Sequence, residues 1–171
     1  MKLASGDLIL FEPYLSEIKD TLTSWWNSSK YSHVGLVLRQ SGTCYCIDSR
    51  TTKSNGKFDV SITRLEDVQH DYNGQLWMRK LDHWEGPEFQ TRIEKAITLL
   101  EQTNATRTCS YGASAVAFIY RFLDIFPYET RWEAVLPNDF STEKMTTKNN
   151  QLLWLYTIWD EKKLEKKMYI D

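Results

Sequence analysis

Three kinds of side chain in this sequence can carry covalent or proton-transfer chemistry. They are the thiols of Cys44, Cys46 and Cys109, the imidazoles of His33, His70 and His83, and the carboxylates, among which Asp48 follows the first two thiols closely. A thiol nucleophile acts as its thiolate. It needs a histidine to take and return a proton, and a third group to orient that histidine. Cys109 has the best local setting. It stands at the start of an apolar helix predicted from about Ser110 to Ile125, where free backbone N–H groups and the positive end of the helix dipole favour a thiolate. The same N–H groups can hold an oxyanion. The competing reading of Cys109 is a buried structural cysteine.

His33 opens the run His33-Val34-Gly35-Leu36-Val37, so as a candidate base it sits at a strand end, with Gly35 leaving space on the same face; a polar strand-entry residue is the alternative role, and the one that position alone favours. Asp48 ends a second predicted strand, Cys44 to Asp48, beyond a turn at Gln40–Thr43. An antiparallel pairing across that turn makes Asp48 and His33 rough partners, close enough for the carboxylate to fix the imidazole tautomer. A turn residue capping the loop after the strand is the alternative role for Asp48. His70 lies among Gln69, Asp71 and Asn73, and His83 between Asp82 and Trp84, so both read as loop residues. Cys44 and Cys46 share a strand face with Asp48 and read as core or site lining, Cys46 being the second candidate nucleophile. With no further ligand pair downstream, they do not make a zinc site.

These residues must be positioned by a scaffold that starts with strands and ends with helices. Leu8–Phe11 follows a Gly6-Asp7 turn as a buried strand; Phe58–Ile62 alternates; Leu76–Arg79 is a further strand. Tyr14 to Trp26 has helical spacing, and Ser54–Lys57 marks a turn. Phe89, Ile93, Ala96, Ile97 and Leu100 fall on one face of a helix that starts near Gly86-Pro87-Glu88. Pro127 stops the next helix. Leu152 to Trp159 is apolar without a clear period, and Asp160 to Lys167 is a charged tail predicted to be helical. Strands first and helices later predict an α+β fold.

The whole-chain numbers set limits. At 171 residues the chain fits a single domain, 1–171. A net charge of -2 gives no electrostatic case for nucleic-acid binding. No apolar run approaches the ~20 residues of a membrane helix, and the N-terminus lacks a signal-peptide core. The expected location is therefore intracellular, in the cytoplasm, where thiols stay reduced. No phosphate-binding loop, dinucleotide fingerprint, His-Glu-x-x-His or Gly-x-Ser-x-Gly motif is present. Aromatic residues are abundant, with 7 Trp, 9 Tyr and 7 Phe.

The order Gly6-Asp7-Leu8-Ile9-Leu10-Phe11, then Ser32-His33-Val34-Gly35-Leu36-Val37, then Asp48, then Cys109-Ser110 resembles the circularly permuted NlpC-like group of papain-fold enzymes. That group includes YiiX-like amidases, poxvirus proteins and, more distantly, lecithin retinol acyltransferase. Gly56–Val60, Leu65–Val68 and Leu136-Pro137-Asn138-Asp139-Phe140 extend the likeness, which covers about residues 5–140 and leaves 141–171 as a C-terminal extension. The resemblance implies an antiparallel sheet or small barrel packed against helices. It also implies Cys109 as nucleophile, His33 as base, Asp48 as orienting acid, and no cofactor or metal. One departure stands out: the family commonly reads Cys-Ser-Glu-Leu/Phe-Val, whereas this chain reads Cys109-Ser110-Tyr111-Gly112-Ala113.

The expected activity is a cysteine hydrolase or acyltransferase acting on an amide, ester or thioester of a small molecule, peptide or lipid acyl chain. The alternative is an inactive papain-like module with a structural or interaction role, for example in a virus particle. Trp25, Trp26 and the Leu152–Trp159 segment are either core or a patch facing a membrane or a protein partner.

Overall fold

The computed structural model describes residues 3–14, 31–51, 58–81, 86–102, 112–126, 131–132, 135–140 and 162–163. Strands β1 (Leu8–Pro13), β2 (His33–Gln40), β3 (Thr43–Thr51) and β4 (Phe58–Arg64) come first. They are followed by a short helix α1 (Leu65–Asp71), strand β5 (Gly74–Arg79), and helices α2 (Pro87–Gln102) and α3 (Gly112–Phe122). A 3-10 turn at Pro137–Phe140 and a two-residue strand β6 (Lys162–Lys163) complete the described elements. The architecture is α+β, built on one antiparallel sheet in the order β4-β3-β2-β1-β5-β6. Among the described residues no pairing joins β4 to β6.

Period-two alternation divides the strand residues between two faces. Leu8, Leu10, Val34, Leu36, Leu38 and Ile47 point to one face. Against it pack α2, through Phe89, Ile93, Ala96, Ile97 and Leu100, and the almost wholly buried α3. The five apolar positions read as one face of α2 are the residues it buries. Tyr31, Tyr120, Phe126 and Phe140 are also buried on this side. Part of the aromatic excess is therefore core. The opposite face carries Ile9, Phe11, Val37, Cys46, Leu76 and Met78, with Leu65 of α1 against them.

The Gly6-Asp7 turn that precedes β1 is a structural joint. Gly6 has φ +95°, and a Cβ there would lie 2.8 Å from the Phe89 ring. The buried Asp7 carboxylate accepts hydrogen bonds from the backbone N–H of Ala4 at 2.8 Å and of Leu81 at 3.0 Å. The Tyr120 hydroxyl donates to the Gly6 carbonyl. This joint ties the start of β1 to the segment after β5 and to α3.

Several expectations change. β3 runs past Asp48 to Thr51, because β4 continues the ladder through Asp48↔Ser61, Ser49↔Val60, Arg50↔Asp59 and Thr51↔Phe58. Asp48 is thus an interior strand residue, not a strand end. His70 lies on α1 rather than in a loop. Glu66 and Asp67 in the first turn of α1 suit the positive end of its dipole. In the tail predicted as helix, Lys162–Lys163 instead pairs with Trp77 and Met78 of β5 as a strand. The predicted Tyr14–Trp26 helix (beyond Tyr14), the Ser54–Lys57 turn, His83, Pro127 and Leu152–Trp159 lie outside the described residues. Among the described residues no helix is long and apolar enough to cross a membrane.

Candidate functional site

His33 is the first residue of β2, and its surroundings follow from that position. Just before it, the backbone N–H of Ser32 donates to the Phe11 carbonyl at 2.8 Å, and the Ser32 hydroxyl donates to the same oxygen at 3.3 Å. These bonds anchor the end of the β1–β2 ladder. Phe11 is the register partner of His33, and its ring meets the imidazole edge-on with centroids 5.3 Å apart. Tyr72 in turn packs edge-on against Phe11 at 5.0 Å.

The β2–β3 register runs from Leu36↔Ile47 to Gln40↔Thr43. One step further, Asp48 stands opposite Gly35, diagonal to His33 on the same face. That diagonal is within reach of long side chains. The Nε2–H of His33 donates to Oδ1 of Asp48. The two side chains are 22% and 20% exposed, so the pair is largely shielded yet still open to a ligand. Because the carboxylate engages Nε2, Nδ1 is the nitrogen positioned to exchange a proton with another group.

Two glycines make room for this pair. A Cβ at Gly35 would run into the Cys46 sulfur and lie 3.6 Å from the Phe11 ring. The space anticipated beside His33 is thus filled by Cys46. Gly112, the first residue of α3, lies directly against the imidazole. A Cβ there would collide with Cε1, and it would lie 2.8 Å from Nε2 and 2.9 Å from the Val34 carbonyl oxygen. The glycine at position 112 therefore has a physical reason. At Gly112 the helix and the His33 ring approach so closely that only glycine fits. A glycine opening an otherwise Ala- and Val-rich helix is the signal in the sequence that marks such an approach.

Cys46 is buried, and its thiol is pushed up to about 12, first by burial and then by the negative charge of Asp48. It is a poor nucleophile at neutral pH. Cys44 is partly buried. Cys109 lies outside the described residues, three positions before Gly112. His70 is 89% exposed and hydrogen-bonds to the adjacent Asp71, at 2.8 Å. Of the residues singled out in the sequence, His33 and Asp48 are in contact and His70 stands away from them. The roles of Phe11 and Tyr72 around the imidazole depend on strand register and packing, which no local pattern encodes.

No protein-family model matches the sequence, and no curated sequence matches it. A solved structure does resemble it in fold: the metalloprotein YiiX from Escherichia coli O157:H7. The TM-score is 0.52 and the identity 16%, over 71% of this chain and 66% of that one, just under two thirds. The likeness is one of fold, and it agrees with the YiiX-like part of the sequence resemblance. That neighbour is described as a metalloprotein. Here, among the described residues, no group of three or more His, Cys, Asp or Glu side chains is placed to hold a metal ion.

Proposed function

We propose that this protein is a cysteine-dependent acyl hydrolase or acyltransferase of the permuted papain-like type, with Cys109 as nucleophile, His33 as base and Asp48 as orienting acid. The observation that carries this reading is the His33–Asp48 hydrogen bond with the imidazole lodged against Gly112, at the start of the helix that Cys109 precedes. The bond holds the ring with Nδ1 as the exchanging nitrogen. A thiolate just before α3 gains from the helix terminus and from a neighbouring imidazolium.

In the reaction, the Cys109 thiol gives its proton to Nδ1 of His33, and the sulfur attacks the carbonyl carbon of an amide, ester or thioester. A C–S bond forms and the carbonyl oxygen takes the negative charge, held by N–H groups at the helix start. The imidazolium returns the proton to the leaving group as the old acyl bond breaks. Water or another acceptor then releases the acyl group by the same steps, with His33 again acting as base. Asp48 stabilises the imidazolium as a carboxylate and does not take up its proton.

The test needs no substrate. The rate of iodoacetamide alkylation is followed against pH for each thiol by peptide mapping. Cys109 is expected to label faster than Cys44 and Cys46, with a midpoint well below the ~8.5 of an ordinary thiol. In His33→Ala that midpoint returns toward the ordinary value. A Cys109 that reacts like a free thiol in the native protein, unchanged by His33→Ala, overturns the proposal.

A further inference from the structure

On the face of the sheet that carries His33 and Asp48, a cavity of about 510 Å³ opens between α1 and strands β3 and β4. Its floor is Phe11, Cys46 and Asp48. Phe11 and Asp48 are also the two side chains that hold the His33 ring, so the floor of the cavity and the seat of the imidazole share walls. The sides are apolar where Val68 and Tyr72 line it. The rim is different. Asp59 from β4, and Asp67 and Asp71 from α1, stand exposed around the mouth. Asp71 has His70 as a neighbour outside the cavity, at 2.8 Å. No Lys or Arg is among the lining side chains.

A cavity of this volume is in the range that accepts a small ligand or a side chain. Val68 and Tyr72 give it an apolar flank, Ser61 and Thr63 add hydroxyls, the floor carboxylate of Asp48 is engaged by His33, and three further carboxylates stand at the entrance. An acyl chain with a carboxylate or phosphate end would bring its charge against three like charges. An aliphatic stem ending in a cation matches both parts: methylenes lie along Val68 and Tyr72 while the charged end reaches the rim. An aromatic wall adds attraction for a cation. The cavity itself, which shares Phe11 and Asp48 with the imidazole seat, makes the site, and the carboxylates determine which charge it accepts.

We propose that this cavity binds an alkylammonium group of the substrate, so that the acyl compound handled at His33 is an amine-bearing one, such as a lysine-type peptide or a polyamine conjugate. This rests on the hydrolase reading above for the chemistry, though not for the binding itself. Binding is tested directly by titrating the uniformly ¹⁵N-labelled full chain with hexylammonium and, in parallel, with hexanoate. Hexylammonium is expected to move the amides of Cys46, Asp48, Thr63, Val68 and Tyr72, and hexanoate to leave them in place. In Asp67→Asn/Asp71→Asn, two exposed positions on α1, hexylammonium binding weakens by about three- to tenfold, the scale of two exposed charge contacts. Shifts from hexanoate equal to those from hexylammonium, or no shifts at these amides from either, overturn the assignment.

Two further ligands, Nα-acetyl-lysine methylamide and spermidine, distinguish a peptide source from a polyamine one. Tighter binding of either than of hexylammonium supports the site and names the source. Failure of both to bind overturns it. The hydrolase reading is scored separately by alkylation of Cys109 with plain iodoacetamide. Iodoacetamides carrying an aminopentyl or a carboxypentyl tail then join the two questions. An activated Cys109 that labels equally fast with both tails leaves the hydrolase reading standing and removes the alkylammonium site.

Discussion

The two faces of the sheet are built from alternate residues of the same strands, yet they do different work. In β2, Val34, Leu36 and Leu38 are sealed beneath α2 and α3, while His33 and Gly35 belong to the other set. In β3, Ile47 goes to the sealed face and Cys46 and Asp48 to the other. The sealed side is covered by helices of 16 and 11 residues; the other has α1, with 7. Short cover leaves a cavity, and the cavity is where the polar groups are. The larger buried cluster lies on one face and the His33–Asp48 pair on the other, with the two meeting at the end of β2, where Gly112 touches His33.

The contrast can be broken or sharpened by substitution. The largest effect belongs to the sealed face. Leu36→Ala is expected to cost ~2–5 kcal/mol of stability by denaturant unfolding, as deletion of fully buried methyl groups does. Val68→Ala, a partly buried side chain of α1, should cost clearly less. Equal costs would mean that the two faces are sealed alike. In variants that stay folded, the pH midpoint of Cys109 alkylation should be unmoved by Leu36→Ala.

Next comes the meeting point. Alanine is a better helix former than glycine, by ~1 kcal/mol in an exposed helix interior. At position 112 the sign reverses, because the added methyl meets the imidazole and the Val34 carbonyl. Gly112→Ala is expected to lose ~1–3 kcal/mol, the scale of overpacking, and to raise the alkylation midpoint of Cys109. A neutral or stabilising Gly112→Ala would refute the close approach.

The smallest effect is read at alkaline pH. Cys46 keeps its proton up to about 12 in the folded protein, whereas in the unfolded chain it loses it near the ordinary thiol value. As pH rises above ~9 the unfolded state therefore binds fewer protons, and folding stability falls. Between pH 9 and 10 this amounts to about 1 kcal/mol. Cys46→Ala should be less stable throughout, since it deletes buried volume, but it should lack this part of the alkaline slope. Identical slopes in the two proteins would place Cys46 in contact with solvent.

Much of this arrangement can be read from local sequence. The strands around His33, the turn at Gln40–Thr43 and the buried stripe of α2 all follow from periods of two and 3.6. The approach of Asp48 to His33 follows from counting across a single turn. What could not be read involves distant partners. β3 runs on to Thr51 because β4 is there to pair with it. The helical state of His70 depends on a helix of 7 residues, too short to show a period. Phe11 comes to His33 only through a β1–β2 register that spans a long connection. Gly112 read as a departure from a motif because its reason, a ring from another element, is absent from its neighbours in sequence.

The joint at Gly6-Asp7 has a consequence for how the molecule is made. β1 leaves the ribosome before every element it packs against, yet it lies inside the sheet, between β2 and β5. Leu8 waits for Arg79, and Gly6 waits for the hydroxyl of Tyr120, which is 114 positions later in the chain. Contacts of such long sequence separation close late and slow folding. The apolar strands β1 and β2 emerge before the helices that cover them. The core is therefore completed only after α3 has been synthesised, and in that interval transiently exposed apolar strands are open to aggregation.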